Sequence, residues 1–438
     1  MRACVRGRTR NRFILEPQRI VEAAPAGDWV QRYTKVRTNS LALVEGLSDA
    51  DATAQSMDDA SPAKWHLAHT TWFFEEFVVA PRMGESERYH SSFSFLFNSY
   101  YNSVGDRHAR PSRGLLTRPS LDEVKAYRAH VDANMAKILS TGDAALRPLL
   151  DLGLAHEEQH QELLLTDILH LFAQNPLRPE FRPPEPIAVG NATESPVVWH
   201  EYEGGKVSIG ASGEGFIFDC EGPRHDALLL PYSLAGRAVT NREWLEFMRE
   251  GGYSDPLLWL SDGFATVIAE GWQAPLYWTE RDGYWFAMTL RGERVVDLDA
   301  PVTHVSHYEA DAFARWAGAR LPTEIELESA VAGLPIEGNF AASGAFAPRL
   351  QTGELSGAPS GLYGDVWEWT SSAYVAYPRY APAGGAIGEY NGKFMSGQMV
   401  LRGGSCATAN GHMRATYRNF FHPDKRWQFS GLRLARDL

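Results

Sequence analysis

A run of prolines divides this chain into two unlike halves. Proline has no backbone N–H and a fixed φ angle, so it continues neither a helix interior nor a central strand. The prolines of this run are Pro176, Pro179, Pro183, Pro184 and Pro186. The run predicts a linker over residues 176–196, between a first domain at 27–175 and a second domain at 197–438.

The first domain has the pattern of a helical bundle. Apolar residues recur at helical spacing over residues 28–47, 62–79, 120–139 and 144–174. Ser61 before Pro62 is typical of an N-cap followed by proline at the first helical position. Ser120 and Glu123 form a capping-box pattern at the start of the third helix. Four long helices predict a four-helix bundle, whose core commonly holds metal sites.

The second domain has a different character. Ten of the thirteen tryptophans lie after residue 197, and glycine is frequent there. Helical periodicity is clear only over residues 241–250 and 308–318. These features predict a loop-rich α+β domain that is stabilised by aromatic packing.

Composition excludes several classes of protein. The formal net charge is −12, and arginines cluster only within residues 1–26, a predicted disordered extension without the apolar run of a secretory signal. No segment has about 18 consecutive apolar residues, so a membrane is not an expected partner. Because the net charge is acidic, a nucleic acid is not an expected partner either. The three cysteines, Cys4, Cys220 and Cys406, are far apart. They form no disulfide framework and fit a cytoplasmic location.

The strongest local motif is His156-Glu157-Glu158-Gln159-His160. Two histidines at positions i and i+4 lie on one face of a helix, within reach of a single ion. The spacing also resembles the HExxH motif of zinc proteases, in which the first glutamate is the general base. No supporting downstream motif is visible. A chance pair of core histidines is the competing interpretation.

A third histidine ligand would have to come from another helix. His66 and His69 are both candidates, and periodicity does not separate them because they lie one turn apart. Three neutral imidazoles can hold Fe(II), Zn(II) or Cu(II). A six-coordinate metal with three protein ligands keeps up to three positions open for substrates.

The residues around these histidines resemble a known family. Residues 61–75, SPAKWHLAHTTWFFE, followed by HEEQH at 156–160, are similar to the DinB-like domain of ergothioneine-pathway sulfoxide synthases. The second half resembles the formylglycine-generating-enzyme-type domain, which has a C-type-lectin-like fold. The motifs of that second resemblance are VTN at 239–241, PVTHVS at 301–306, RLPTE at 320–324, GDVWEW at 364–369 and RGGS at 402–405. Together the two resemblances cover nearly the whole chain after residue 27.

The resemblance implies a specific metal and reaction. It selects His69 over His66, so that His69, His156 and His160 would hold Fe(II). The implied substrates are hercynine (Nα-trimethylhistidine), the thiol of cysteine or γ-glutamylcysteine, and dioxygen. Gln159 matches a position that orients the histidine-derived substrate.

The resemblance also implies roles for several loop residues. Tyr100 and Tyr101 match a tyrosine pair that supplies acid catalysis in the cysteine-using branch, and a phenol with a reference pKa of about 10 stays protonated at neutral pH. Asn419 and Phe420 would contact the trimethylammonium group, which an aromatic face attracts. Phe421 stands where the γ-glutamylcysteine branch has an aspartate, which favours cysteine.

Arginines in the loop after the tyrosine pair could bind substrate carboxylates in bidentate fashion. Arg107 and Arg110 are the candidates, with Arg113 and Arg118 further along the same loop. A solvated arginine-rich face is the commoner explanation for such a loop.

Four other functions remain open at this point. A formylglycine-generating oxidase would need a cysteine pair that binds copper, and only Cys406 lies in the relevant region. A non-catalytic bundle fused to a ligand-binding domain would bind no iron. A thiol transferase on the same bundle would use zinc, which activates a thiolate but not dioxygen. An enzyme that makes ovothiol or selenoneine would share the ligands and differ in substrate.

Overall fold

The computed structural model describes residues 26–183, 197–213, 215–349, 358–384 and 386–438. The first domain is helical throughout, as its periodicity predicts. Its helices are α1 (Ala26–Leu43), α2 (Asp49–Thr53), α3 (Ala63–Phe74), α4 (Ala80–Met83), α5 (Phe93–Phe97), α6 (Leu121–Leu139) and α7 (Arg147–Gln174). A π-helical turn, Glu75–Val79, joins α3 to α4.

Helix α3 is the centre of the bundle. Every residue from Ala63 to Phe74 is buried, and the helix packs against α6 and α7. A helix that is buried on all sides is surrounded by other elements. Helix α1 closes the bundle against α6 and α7. A polar side chain on α3 therefore points into the protein whichever way it faces.

The predicted helix starts were right in one case and wrong in another. Ser120 accepts a hydrogen bond from the Glu123 backbone at the start of α6, and Glu123 returns one, so the capping box is confirmed. Ser61 does not cap α3, because Pro62 occupies the cap position. The Ser61 hydroxyl instead accepts a hydrogen bond from Arg113 at 2.9 Å. A tertiary contact has replaced the local one.

Over its described residues, the second domain is built from short strands and four α-helices. The strands are β1 (Trp199–Tyr202), β2 (Gly205–Ile209), β3 (His225–Leu229), β4 (Tyr232–Ala235), β5 (Trp278–Arg281), β6 (Tyr284–Thr289), β7 (Gly292–Val295), β8 (Trp367–Ala373), β9 (Met399–Arg402), β10 (Asn419–Phe421), β11 (Ser430–Gly431) and β12 (Ala435–Asp437). The helices are α8 (Asn241–Arg249), α9 (Ser261–Glu270), α10 (His307–Trp316) and α11 (Glu324–Ala330). The predicted helices at 241–250 and 308–318 are thus confirmed to within two residues at each end.

These strands form four small sheets in the part of the domain that the structure describes. Their orders are β1-β4-β12, β10-β9-β8-β11, β2-β3 and β5-β6-β7. The last strand, β12, runs antiparallel to β4, so the end of the chain returns to the beginning of this domain. The α+β prediction is confirmed. The sheet that carries β10 also carries the segment predicted to contact substrate.

The predicted linker lies only partly within the described residues. Over 175–183 the chain makes turns without a helix or strand, and the backbone N–H groups of Phe181 and Arg182 bond to the Leu290 carbonyl. Residues 184–196, and the predicted N-terminal extension up to residue 25, lie outside the described part. The exact domain limits stay a prediction. Among the helices described, none has the length and apolarity needed to cross a membrane.

Helix α7 joins the two domains through polar contacts. Its buried Glu162 accepts hydrogen bonds from Trp367 Nε1 at 2.7 Å, from Thr408 Oγ1 at 2.7 Å and from the Ser405 hydroxyl. Burial raises the pKa of Glu162, whereas these donors lower it. One turn earlier, Glu158 pairs with His412 at 3.0 Å. The helix that carries His156 and His160 therefore also contacts the second domain.

Candidate metal centre

Three histidines from two helices meet in the core of the bundle. His69 comes from α3, and His156 and His160 come from successive turns of α7. One nitrogen from each of them lies within 4.8 Å of the others. The ring centroids are 4.6 to 4.9 Å apart. His66 is not part of this group, so the geometry separates two histidines that periodicity could not.

Hydrogen bonding fixes which nitrogen of His69 is available. Its Nδ1 lies 2.6 Å from the backbone oxygen of Phe97. A carbonyl only accepts, so Nδ1 carries the proton and Nε2 carries the lone pair. That Nε2 is buried and has no hydrogen-bond partner among the described residues, and the same is true of both nitrogens of His156. Buried nitrogens without partners are costly unless something binds them.

All three imidazoles are held in the neutral form. Burial lowers the pKa of His156 to about 3 and moves the pKa values of His69 and His160 well below their usual range. The neighbouring histidines lower the last two further. A neutral imidazole with a free lone pair is the form that binds a transition metal. The donor set therefore fits a divalent ion held by three nitrogens, with further positions open.

Glu157 has a structural environment, which argues against the protease interpretation of HEEQH. It accepts hydrogen bonds from Arg37 at 2.9 Å, from Ser40 at 2.6 Å and from Arg128. Burial alone would raise its pKa, but the Arg128 and Arg37 guanidiniums lower it to about 2. A carboxylate that is buried between two guanidiniums and has so low a pKa is too weak a base to deprotonate water. Glu157 therefore cannot be the general base of a metalloprotease.

The predicted tyrosine pair lies beside the cluster as a stacked unit. The Tyr100 and Tyr101 rings are 4.7 Å apart and nearly parallel. Tyr101 is fully buried against Trp72, whose ring in turn stacks on His69 at 5.5 Å. Burial raises the pKa of both tyrosines. Both phenols are therefore protonated across the physiological range.

Tyr390, which no sequence motif indicates, is a phenol in direct ring contact with the cluster. Its ring stands edge-on to His156 at 5.4 Å, and it lies 6.0 Å from Tyr100. Its hydroxyl donates to Gln159 Oε1, while Gln159 Nε2 donates to Tyr417 at 2.7 Å. Tyr390 belongs to no recognisable motif, and only the docking of the two domains brings it to the site.

The other predicted substrate contacts lie further out. Phe420 stacks on Tyr374 at 4.0 Å and reaches the tyrosine pair through Phe394, which contacts both Phe420 and Tyr100. The Asn419 side chain accepts from the backbone of Phe420. Phe421 packs on Trp427 and makes no ring contact with the histidines.

The arginines of the loop divide into exposed and buried members. Arg107 bonds to Asn102, and Arg110 bonds to the backbone of Asp59, both at the surface. Arg113 is buried, with its guanidinium 3.4 Å above the Trp65 ring. Burial lowers the pKa of Arg113 to about 8. No carboxylate of the described residues forms an ion pair with Arg113, which instead donates hydrogen bonds to Ser61 and Ser99.

Arg113 and Trp65 also support the cluster from behind. Trp65 stacks on His69 with the rings 4.6 Å apart and 13° from parallel. Trp72 also stacks on His69, at 5.5 Å and 14° from parallel, so two indole rings restrict the orientation of the His69 ring. His69 therefore has its orientation fixed by two stacked rings as well as by the Phe97 carbonyl.

Family models match both domains. Residues 32–172 match the DinB superfamily, and residues 193–359 and 356–438 match the sulfatase-modifying factor enzyme 1-like domain. Hercynine oxygenase of Mycolicibacterium smegmatis is 34% identical over 92% of this chain and 97% of its own length. Hercynine oxygenase of Mycobacterium tuberculosis is 30% identical over the same shares. Formylglycine-generating enzyme of Streptomyces coelicolor is 29% identical over 53% of this chain and 87% of its own length.

Proposed function

The chain belongs to the hercynine oxygenase family, and we propose that it is an iron(II)-dependent sulfoxide synthase. It would join hercynine to the sulfur of cysteine or γ-glutamylcysteine in ergothioneine biosynthesis. The observation that carries the proposal is the cluster of three neutral histidines, in which buried nitrogens of His69 and His156 have no hydrogen-bond partner among the described residues. The match covers 97% of the length of both hercynine oxygenases, so both domains take part in the comparison.

The proposed reaction balances without an external reductant. The carbon–hydrogen bond of the hercynine imidazole and the S–H bond of the thiol are broken, and a C–S bond forms. One atom of dioxygen becomes the sulfoxide oxygen, and the other leaves as water with the two hydrogens. Iron(II), held by His69, His156 and His160, would supply the open positions and the redox chemistry that dioxygen activation needs.

Residues of the chain would supply and retain protons. Tyr100 and Tyr101 are proposed as the acids because burial keeps their hydroxyls protonated. Tyr390 would hold Gln159 in place through its hydroxyl. Gln159, held in this position, would orient the hercynine imidazole. The aromatic wall of Tyr390, Tyr100 and Phe394 would exclude water from the reacting atoms.

Two further sets of residues are proposed to match the substrate charges. Phe420 and Asn419 are proposed to contact the trimethylammonium group of hercynine, where an aromatic face compensates for lost hydration. Arg107 and Arg110 are proposed to bind carboxylates of the thiol substrate. Phe421, which has no charge, favours cysteine over the larger dipeptide as the sulfur donor.

Oxygen consumption by the purified protein tests this proposal. Uptake should require hercynine and a thiol together, and the protein should hold about one iron per chain. His156→Ala should lose both the iron and the activity. Uptake with neither substrate, or iron content unchanged in His156→Ala, would refute the assignment. Comparing cysteine, γ-glutamylcysteine and a selenol separates the proposed function from selenium-using relatives.

A further inference from the structure

His66, which lies outside the three-histidine cluster, contacts one of its members directly. The Nδ1 atoms of His66 and His160 are 2.9 Å apart, and the other nitrogen of His66 lies 3.1 Å from Asp167 Oδ2. We propose that His66, held by Asp167 and Trp427, fixes the tautomer and ring orientation of His160 and thereby raises the affinity of the cluster for a divalent metal. This inference rests on the metal-binding role proposed above.

The direction of each hydrogen bond follows from the carboxylate. Asp167 Oδ2 already accepts the backbone N–H of Ser61 at 2.8 Å, and a carboxylate oxygen has no proton to donate. His66 must therefore donate its Nε2–H to Asp167, which leaves a lone pair on its Nδ1. That lone pair accepts the Nδ1–H of His160. Nε2 of His160 then carries a lone pair, as a metal ligand requires.

His69 and His160 are each oriented by a hydrogen bond to a different kind of acceptor. His69 donates to a backbone carbonyl, whereas His160 donates to His66. His156 has no partner for either nitrogen among the described residues. Orientation of the donor set therefore depends on His69 and His160. Without His66, the ring of His160 could rotate or adopt the other tautomer, which would present an N–H to the metal.

The second domain completes this arrangement. Trp427 Nε1 donates to Asp167 Oδ1 at 3.1 Å, so both oxygens of the carboxylate are occupied. His66, Asp167 and Trp427 are each less than 8% exposed, so water does not compete for these bonds. Partners that donate or accept behind a metal-binding histidine typically contribute 10- to 100-fold in metal affinity. Domain docking is thereby coupled to the metal site.

A pair of substitutions at His66 separates hydrogen bonding from packing. His66→Leu removes both polar atoms. In His66→Gln, the amide oxygen can accept from His160 and the amide nitrogen can donate to Asp167. Anaerobic competition titrations with iron(II), and with cobalt(II) as a coloured stand-in, would measure the affinity of the full-length protein. We expect about a 10- to 100-fold loss for His66→Leu and recovery of most of it in His66→Gln.

One control lies on α7, the helix that carries His160, and a further variant changes the domain contact at Asp167. His170 on α7 bonds to Ser56 at 2.7 Å and lies outside the cluster, so His170→Leu should bind metal as the parent protein does. Trp427→Phe removes only the donor to Asp167 and should cost a few-fold in affinity. It also provides a test if His66→Leu fails to fold, which thermal melting of the metal-free protein would reveal.

The outcomes distinguish this inference from the proposed function. If His156→Ala binds metal like the parent protein, the cluster is not the metal site and the proposed function fails. Suppose instead that His156→Ala loses the metal. The role of His66 is then overturned if folded His66→Leu keeps the parental metal affinity. If His66→Leu fails to fold, parental affinity in Trp427→Phe overturns it. Equal losses in folded His66→Gln and His66→Leu would also overturn it, because hydrogen-bond polarity would then be irrelevant.

Discussion

At the scale of single residues, the site combines groups whose proton positions are set by their neighbours. His69 donates to a carbonyl, and Tyr390 donates to an amide oxygen. Burial keeps the histidines neutral and the tyrosines protonated. A metal ion and two substrates would therefore meet a site that needs little rearrangement of protons before reaction. Substitutions that remove one proton at a time should have separable effects.

The tyrosine pair should affect turnover and not metal content. Tyr100→Phe and Tyr101→Phe keep the stacked rings but remove the proposed acids, so kcat should fall by about 100-fold or more in at least one of them. Steady-state oxygen uptake and product analysis would measure this. Tyr284→Phe, at an exposed position on β6, is the control. Parental kinetics in both variants would remove the pair from the mechanism.

Tyr390 should affect substrate binding more than turnover. Tyr390→Phe leaves the ring against His156 but frees Gln159 from its hydrogen bond. Loss of one hydrogen bond of about 1 kcal/mol corresponds to roughly a 5-fold rise in KM for hercynine. Titration of hercynine at fixed thiol would measure this value. An unchanged KM together with a large fall in kcat would instead make Tyr390 the acid.

At the scale of secondary-structure elements, α7 has two different faces. One carries His156 and His160 toward the cluster, and the other carries Glu157 into an ion pair with Arg37 and Arg128. Removing one partner from a buried ion pair leaves charge without compensation. The first face lies against His69 of α3, and the second face meets Arg37 of α1. The ion pair therefore fixes the rotation of α7 about its own axis.

Glu157→Gln should therefore destabilise the bundle without removing a metal ligand. We expect a loss of about 3–5 kcal/mol in the free energy of unfolding, because the buried Arg128 loses its carboxylate and Arg37 keeps only Asp132. Urea unfolding of the metal-free protein would measure this loss, with Glu85→Gln at the surface as the control. A change below 1 kcal/mol would show that the three charges contribute little to α7 packing.

The sequence predicted these elements well and their contacts only in part. Periodicity located the long helices, and the Ser120 capping box was read correctly because its partners are three residues apart. Ser61 was misread, because Arg113, which it contacts, lies 52 positions away. Tyr390 was missed for the same reason, since its approach to His156 depends on how two domains dock. Short sequence motifs predict contacts between residues that are close in sequence. The outer part of the site depends on contacts between residues that are far apart in sequence.

At the scale of the whole molecule, buried neutral histidines make stability depend on pH. Burial lowers the pKa of His304 to about 3 and that of His307 to about 4, whereas an unfolded histidine titrates near 6.5. Between about pH 6.5 and pH 4 the unfolded state therefore binds protons that the folded state does not. By linkage, stability must fall as pH decreases through this window.

This dependence can be assigned to a particular residue. Each such histidine contributes a slope of at most about 1.4 kcal/mol per pH unit. His307→Leu should reduce the slope of unfolding free energy against pH, measured by urea denaturation between pH 7.5 and pH 4.5. Comparison with the parent protein cancels the opposite effect of buried carboxyls such as Glu368, whose pKa burial raises. Identical slopes in the two proteins would contradict the assignment.

The contacts made by Glu158, Glu162 and Asp167 limit how far the two domains can be treated as exchangeable modules. All three side chains lie on α7 and bind residues of the second domain. A chimera that takes its bundle from one relative and its second domain from another would inherit buried carboxylates without their donors. Recombination among relatives should therefore preserve function only when α7 is exchanged together with Trp367, the loop at 403–412 and Trp427.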